Sequence, residues 1–185
     1  LISILYFTLI FLSVNFAGLS FLDATRDNPI IRNDESIFQG IISNIGLFLW
    51  ILSLSLNLYA YVIKKKSKIF LIGAINSAFL LIVDLFDVQN SSFQNTIYFF
   101  LANSAFFVFF SSRKLSIIKN KSIILFVSFS LLFAAMIMDI LQGYINVFIP
   151  DLYTATIEEL FEFLGGAYYL FYWIEVIRKI NRLQK

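Results

Sequence analysis

Six long apolar runs alternate with short polar stretches along the whole chain. They cover roughly Leu1–Leu22, Ile41–Ile63, Ile69–Phe86, Thr96–Ser111, Ser122–Ile149 and Thr156–Ile177. Most are close to the ~20 residues that a helix needs to cross a ~30 Å hydrocarbon layer. They are apolar on all sides, without the strict alternation over about 10 residues that marks a membrane β-strand. The pattern therefore predicts an all-α fold: a single transmembrane bundle of six helices, sequential neighbours running antiparallel because every connection is short.

The polar stretches give this bundle an orientation. Lys64, Lys65, Lys66 and Lys68 follow the second run, Arg113, Lys114, Lys119 and Lys121 the fourth, and Arg178, Lys179, Arg182 and Lys185 the sixth. The alternate loops hold only Arg26 and Arg32, which stand beside Asp23, Asp27, Asp34 and Glu35. Basic residues gather on the cytoplasmic side of membrane proteins. Both chain ends are thus expected in the cytoplasm and the loop 23–40 outside. Leu1–Leu22 has no basic leader and is long for a signal-peptide core, which favours a true first helix over a cleaved signal. Trp50, Tyr59, Tyr61, Tyr98, Tyr144, Tyr168, Tyr169, Tyr172 and Trp173 stand near run ends, partly as an interfacial aromatic belt would.

Composition strengthens the membrane reading. Of the 185 residues 59% are hydrophobic, only 14% are charged, and 23 are Phe, against near half and a quarter in soluble domains. Cysteine and histidine are both absent. This excludes disulfides, thiolate metal sites and a cysteine nucleophile, and removes the commonest zinc ligand and general base. A net charge of +2 without basic residues interleaved with aromatics gives no case for nucleic acid as a partner. The partner composition implies is the lipid bilayer, with the basic runs near anionic headgroups. A second copy of the chain or a larger membrane complex remains open as a further partner.

The candidate chemistry is carried by carboxylates. An ionised side chain inside a bilayer costs ~2.5–3.5 kcal/mol on insertion scales, so its default reading is functional. Asp84 falls late in the third run, Asp139 in the outer half of the fifth, and Glu158, Glu159 and Glu162 open the sixth. Asp87 lies in the adjoining loop. Three helices thus bring acids to one level, with Asp139 and Glu162 at nearly equal depth on either side of Pro150. Glu158 and Glu162 share a face at i, i+4, continued inward by Gly165, Gly166 and Tyr169. Gly73, Asn76 or Ser77, Asp84 and Asp87 form a stripe on the third helix. Ser128, Ala135, Asp139, Gln142 and Gly143 form one on the fifth.

The primary candidates are Asp84, Asp139, Glu158 and Glu162, with Asp87, Glu159, Gln142 and Tyr169 behind them. Clustered acids require protonation or a cation. An all-oxygen set suits Ca²⁺, Mg²⁺ or Mn²⁺ rather than zinc. The competing reading is structural, with Glu158 and Glu159 satisfying a helix N-terminus. Asn15, Asn57 and Asn103 are read as interhelical glue, and Gly165-Gly166 as a close-packing notch or local bend. The Phe-rich stretch 98–110 is read as a lipid-facing or packing surface. Lys66-Ser67 and Asp84 recur 55 residues later as Lys121-Ser122 and Asp139, an echo that a duplicated helical hairpin would leave.

Asp84-Leu85-Phe86-Asp87, then Asp139, then Glu158-Glu159-Leu160-Phe161-Glu162-Phe163-Leu164-Gly165-Gly166 resemble the second half of a loose group of uncharacterised bacterial multi-pass membrane proteins. The likeness covers about 76–177. Members often carry a His-Glu pair where this chain has Val88-Gln89-Asn90. The alkaline ceramidase-like membrane hydrolases also use an intramembrane Asp, but with zinc-binding histidines that this chain lacks. The expected function is a small, non-enzymatic binding, sensing or cation- or proton-coupled module in a bacterial cytoplasmic membrane. The alternatives are a structural or assembly subunit of a membrane complex and a lipid-active intramembrane hydrolase.

Overall fold

A computed structural model describes residues 7, 8, 11, 12, 15, 41–63, 68–85, 122–145, 147 and 151–183. These contain four long helices: α1 (Ile41–Ile63), α2 (Lys68–Leu85), α3 (Ser122–Ile145) and α4 (Asp151–Leu183). Phe7, Thr8, Phe11, Leu12 and Asn15 are also helical, and the Asn15 amide donates to the Phe11 carbonyl at 2.7 Å. The fold of the described residues is all-α, as the apolar runs predict. Two helices are long and apolar enough to cross a membrane, with spans at Ile45–Ile63 and Thr156–Arg182. Lys68–Ile82 and Ile123–Met138 are shorter apolar helices. The fourth expected helix, 96–111, lies outside the described residues, as do Asp87 and Asn103.

Three boundaries differ from the expectation by more than one residue. α3 stops at Ile145 rather than 149, since Gly143, Asn146 and the residues before Pro150 disfavour continued helix. α4 begins at Asp151, directly after Pro150; an acid is favoured at the positive end of the helix dipole. It then runs through the expected basic tail to Leu183. Ile177–Leu183 contains no Gly or Pro, and Arg, Lys, Ile and Leu all propagate helix.

The chain divides into two compact units. One comprises Leu1–Gly46 and Leu131–Gly165, the other Leu47–Ser130 and Gly166–Lys185. In the second unit the register follows from contacts. Phe70 packs on Trp173, with ring centroids 6.2 Å apart, and the Asn76 amide reaches the Tyr169 hydroxyl. Rising numbers on α2 thus meet falling numbers on α4, so the two are antiparallel. Trp50 packs on Tyr169 with centroids 5.8 Å apart, and Asn57 lies at Gly73 beside Trp173, so α1 runs parallel to α4.

The core of this unit mixes apolar and small polar residues, while its exposed faces are largely apolar. α1 buries Ser53 and Asn57 with Trp50 and Ala60, and exposes Phe48, Ile51, Leu52, Leu58, Tyr59, Val62 and Ile63. α2 buries Asn76 and Ser77 with Ile69, Phe70, Ala74 and Leu80, and exposes Leu71, Ile75 and Ile82. α3 buries Ser128 and exposes Ile123, Phe126 and Val127. Trp50, Tyr169, Tyr172 and Trp173 are core residues, each at most 1% exposed, and not belt residues. Their rings pack edge to face with one another, an arrangement that contributes ~0.5–1.5 kcal/mol per pair beyond burial. Tyr59 and Tyr144 remain on the surface.

Candidate functional site

Two helices of the second unit, α2 and α4, meet at the Tyr169 hydroxyl. It donates to the Gly73 carbonyl at 3.2 Å and accepts from the Asn76 amide at 3.1 Å. Ser77 Oγ lies 3.4 Å from it, but the single Ser77 proton goes to the Gly73 carbonyl at the shorter 2.8 Å. The positions 73, 76 and 77 share one face of α2 because they are three and four residues apart. Gly73 is what lets the face close. A Cβ there would stand 2.4 Å from Trp173 Cζ2 and 2.5 Å from Asn57 Oδ1. Three of the residues expected to line a carboxylate stripe therefore meet a tyrosine instead.

Asn57 behaves differently from the expected interhelical glue. Its amide donates back along its own helix to the Ser53 carbonyl at 2.9 Å, as Asn15 does in its segment. Side chains of this type bond locally whenever the i−4 carbonyl is within reach. Among the described residues Ser53 Oγ, Asn57 Oδ1 and Asn76 Oδ1 have no hydrogen-bond partner. Each such buried atom costs about 1–3 kcal/mol. The interhelical amide is Asn76. Ser53 was not singled out by the sequence reading, although Trp50, Ser53, Asn57 and Ala60 recur at helical spacing through an otherwise apolar run. This centre consists of neutral donors and acceptors, and its geometry suits fixing helices against one another.

The other unit carries most of the acids. Gly165 is buried and its absent side chain is replaced by Leu132, whose Cγ and Cδ2 would lie 2.7 Å from a Cβ. This is the close-packing notch expected of Gly165. Gly166, in the second unit, faces Leu49 and Trp50 at a looser 3.4 Å. The Leu132–Gly165 contact sets the register of α3 on α4 within its unit. α3 and α4 leave this contact by nearly equal lengths toward a short connection, which aligns them side by side. Seven residues, two turns, from each partner lie Asp139 and Glu158. They occupy matching levels, while Glu162 is level with the buried Ala135. The expected match of Asp139 with Glu162 thus shifts by one turn.

Glu158, Glu159 and Glu162 are half-buried. They do not open their helix, because α4 starts at Asp151. Glu158 is seven residues in, ~10 Å from the N-terminus, and Glu162 ~16 Å. The dipole effect fades within the first turn, so helix capping does not account for these acids. The side chains of Asp139 and Gln142 on α3, and of Asp84 near the end of α2, lie outside the described residues. Asp84 belongs to the second unit and Asp139, Glu158 and Glu162 to the first. Among the described residues no group of three acids forms a metal-holding cluster.

Comparison with known proteins places the sequence. The chain belongs to the family described as Domain of unknown function (DUF8692). The match spans residues 4–176, which includes both the Tyr169 centre and the acids of α3 and α4. No curated protein and no solved structure matches the chain.

Proposed function

We propose that the chain is a polytopic helical protein of a bacterial cytoplasmic membrane, with six spans and its basic end in the cytoplasm. The observation that carries the membrane assignment is that α1, α2 and α3 expose faces made mainly of Phe, Leu, Ile and Val while Ser and Asn share their buried faces with apolar residues. In water each exposed aliphatic face would promote association. In lipid the exposed faces are solvated, and the Asn76–Tyr169 hydrogen bond holds α2 against α4.

Within this frame the protein is a non-enzymatic binding, sensing or cation- or proton-coupled module. The Tyr169 centre is its fixed scaffold. The responsive element consists of the acids of the first unit, Asp139 and Glu158 at matching levels with Glu162 one turn inward. Three glutamates inside an apolar span, too far from its end to serve as caps, support this reading. An oxygen-only set accepts a proton or a hard cation such as Ca²⁺, Mg²⁺ or Mn²⁺.

The test is thermal unfolding of the reconstituted protein across pH and in each of these cations. Ligand at a hundred times its dissociation constant stabilises a one-site protein by ~2.7 kcal/mol. The wild type should show such a response, and D139N and E158Q should lose it while keeping their helical content. A wild type indifferent to both pH and cation overturns the proposal. That outcome favours the second reading, a structural subunit, for which the neutral interlocked core of α1, α2 and α4 is the supporting observation.

A further inference from the structure

The register of the second unit gathers charge at one end. Lys68 opens α2, two residues before Phe70, whose ring packs on Trp173. Arg178, Lys179 and Arg182 follow Trp173 by one to three turns on α4. Since α2 and α4 are antiparallel, these four cations lie at the same end, where α1 also finishes. At 33 residues α4 is ~50 Å long. This exceeds the ~30 Å hydrocarbon layer, and the cost of charge in hydrocarbon favours the end with Arg178, Lys179 and Arg182 as the one outside it.

Those turns are amphipathic. Arg178, Asn181 and Arg182 are exposed, Ile177 and Ile180 are half-buried, and Val176 is buried. Arg178 is drawn back to Glu175, its Nη1 donating to Oε1 at 3.2 Å. Among the described residues no ion pair engages Lys68, Lys179 or Arg182. Lys68 moreover stands in the first turn of α2, where no acid is present and where a cation opposes the helix dipole. An external anion would remove that conflict.

We propose that this end of the second unit binds the phosphate headgroups of anionic phospholipids, with Lys68, Lys179 and Arg182 as the cationic ligands. Ile177 and Ile180 set the depth at which the helix enters the headgroup layer, and Glu175 holds Arg178 against the helix. The inference rests on the membrane reading and goes beyond it by naming the three side chains, drawn from two helices, that hold the headgroup phosphates. Basic residues at an anionic membrane surface each contribute on the order of a fivefold preference.

The experiment incorporates the full chain into nanodiscs. It measures the association of spin-labelled phosphatidylglycerol relative to phosphatidylcholine. Wild type should prefer the anionic lipid. The triple variant K68Q/K179Q/R182Q should lower that preference on the order of a hundredfold with helical content unchanged. The charge-conserving K68R/K179R/R182K should retain it. Equal preference in wild type and the glutamine variant, or loss in the charge-conserving one, overturns the assignment. If inorganic phosphate added to phosphatidylcholine nanodiscs stabilises wild type but not the glutamine variant, the ligand is free phosphate and the lipid assignment falls. Failure of the wild type to enter nanodiscs at all would sink the membrane reading instead, so the two failures are distinguishable.

Discussion

Replacing Gly73 with alanine places a methyl group where no space exists. The new carbon would sit 2.4 Å from Trp173 Cζ2 and 2.5 Å from Asn57 Oδ1, about 1 Å inside the ~3.5–4.0 Å optimum for such contacts. Trp173 cannot turn aside. It is fully buried and ringed by Phe70, Tyr169 and Tyr172, with centroids 6.2, 6.1 and 5.0 Å away. Relief must come from moving α2 away from α1 and α4, which also stretches the Gly73–Tyr169 and Asn76–Tyr169 hydrogen bonds. Overpacking of this kind costs about 1–3 kcal/mol. The loss of a mid-helix glycine returns up to ~1 kcal/mol of helix propensity. With a clash this severe the net is a destabilisation of about 1–2 kcal/mol. Gly166→Ala is the internal comparison, because its Cβ would meet Leu49 and Trp50 at 3.4 Å. There the propensity gain should dominate, leaving stability unchanged or slightly higher. Equilibrium unfolding in mixed detergent micelles measures both. G73A equal to or more stable than G166A would refute the packing argument.

Two further outcomes follow from the same contacts. Tyr169→Phe removes the donor to Gly73 and the acceptor of Asn76; interhelical bonds average ~0.6 kcal/mol and an orphaned buried amide costs ~1–3 kcal/mol, so unfolding measurements should show a loss of about 1–2 kcal/mol. A disulfide should form more readily in the double variant D139C/E158C than in D139C/E162C, because the Leu132–Gly165 register brings positions 139 and 158 to one level; faster oxidation of the second pair, read by gel mobility after proteolysis, would mean a different register.

The sequence made the helices legible because lipid-sized apolar runs are long and their limits are charged. α1 has the expected ends, and α2 differs by one residue. The basic turns of α4 were misread as a tail because charge was taken as the end of helix, although Ile177, Ile180 and Leu183 keep its apolar side going. The stripe through Gly73, Asn76 and Ser77 was visible from spacing alone, but its partner was not. An i, i+4 pattern fixes which residues share a face and says nothing of what crosses from another helix. For that reason Tyr169 stood in a secondary place, and Trp50, Tyr172 and Trp173 passed for belt residues. Nearness to a run end is a poor guide to depth when α4 exceeds the hydrocarbon thickness. The acids stand out in the sequence by their cost in an apolar span. Their pairing was offset by a turn because Pro150 was taken as the hairpin centre, whereas the Gly165 notch on Leu132 sets it.

Single-cysteine labelling in intact cells tests the membrane bundle most directly, since the chain has no cysteine of its own. Asn181→Cys, at the exposed basic end of α4, should resist a membrane-impermeant maleimide until the cells are opened. Ser92→Cys, in the polar stretch after α2, should react from outside at once. Labelling of both from outside, or the reverse order, would contradict a bundle crossing the membrane with its basic end in the cytoplasm.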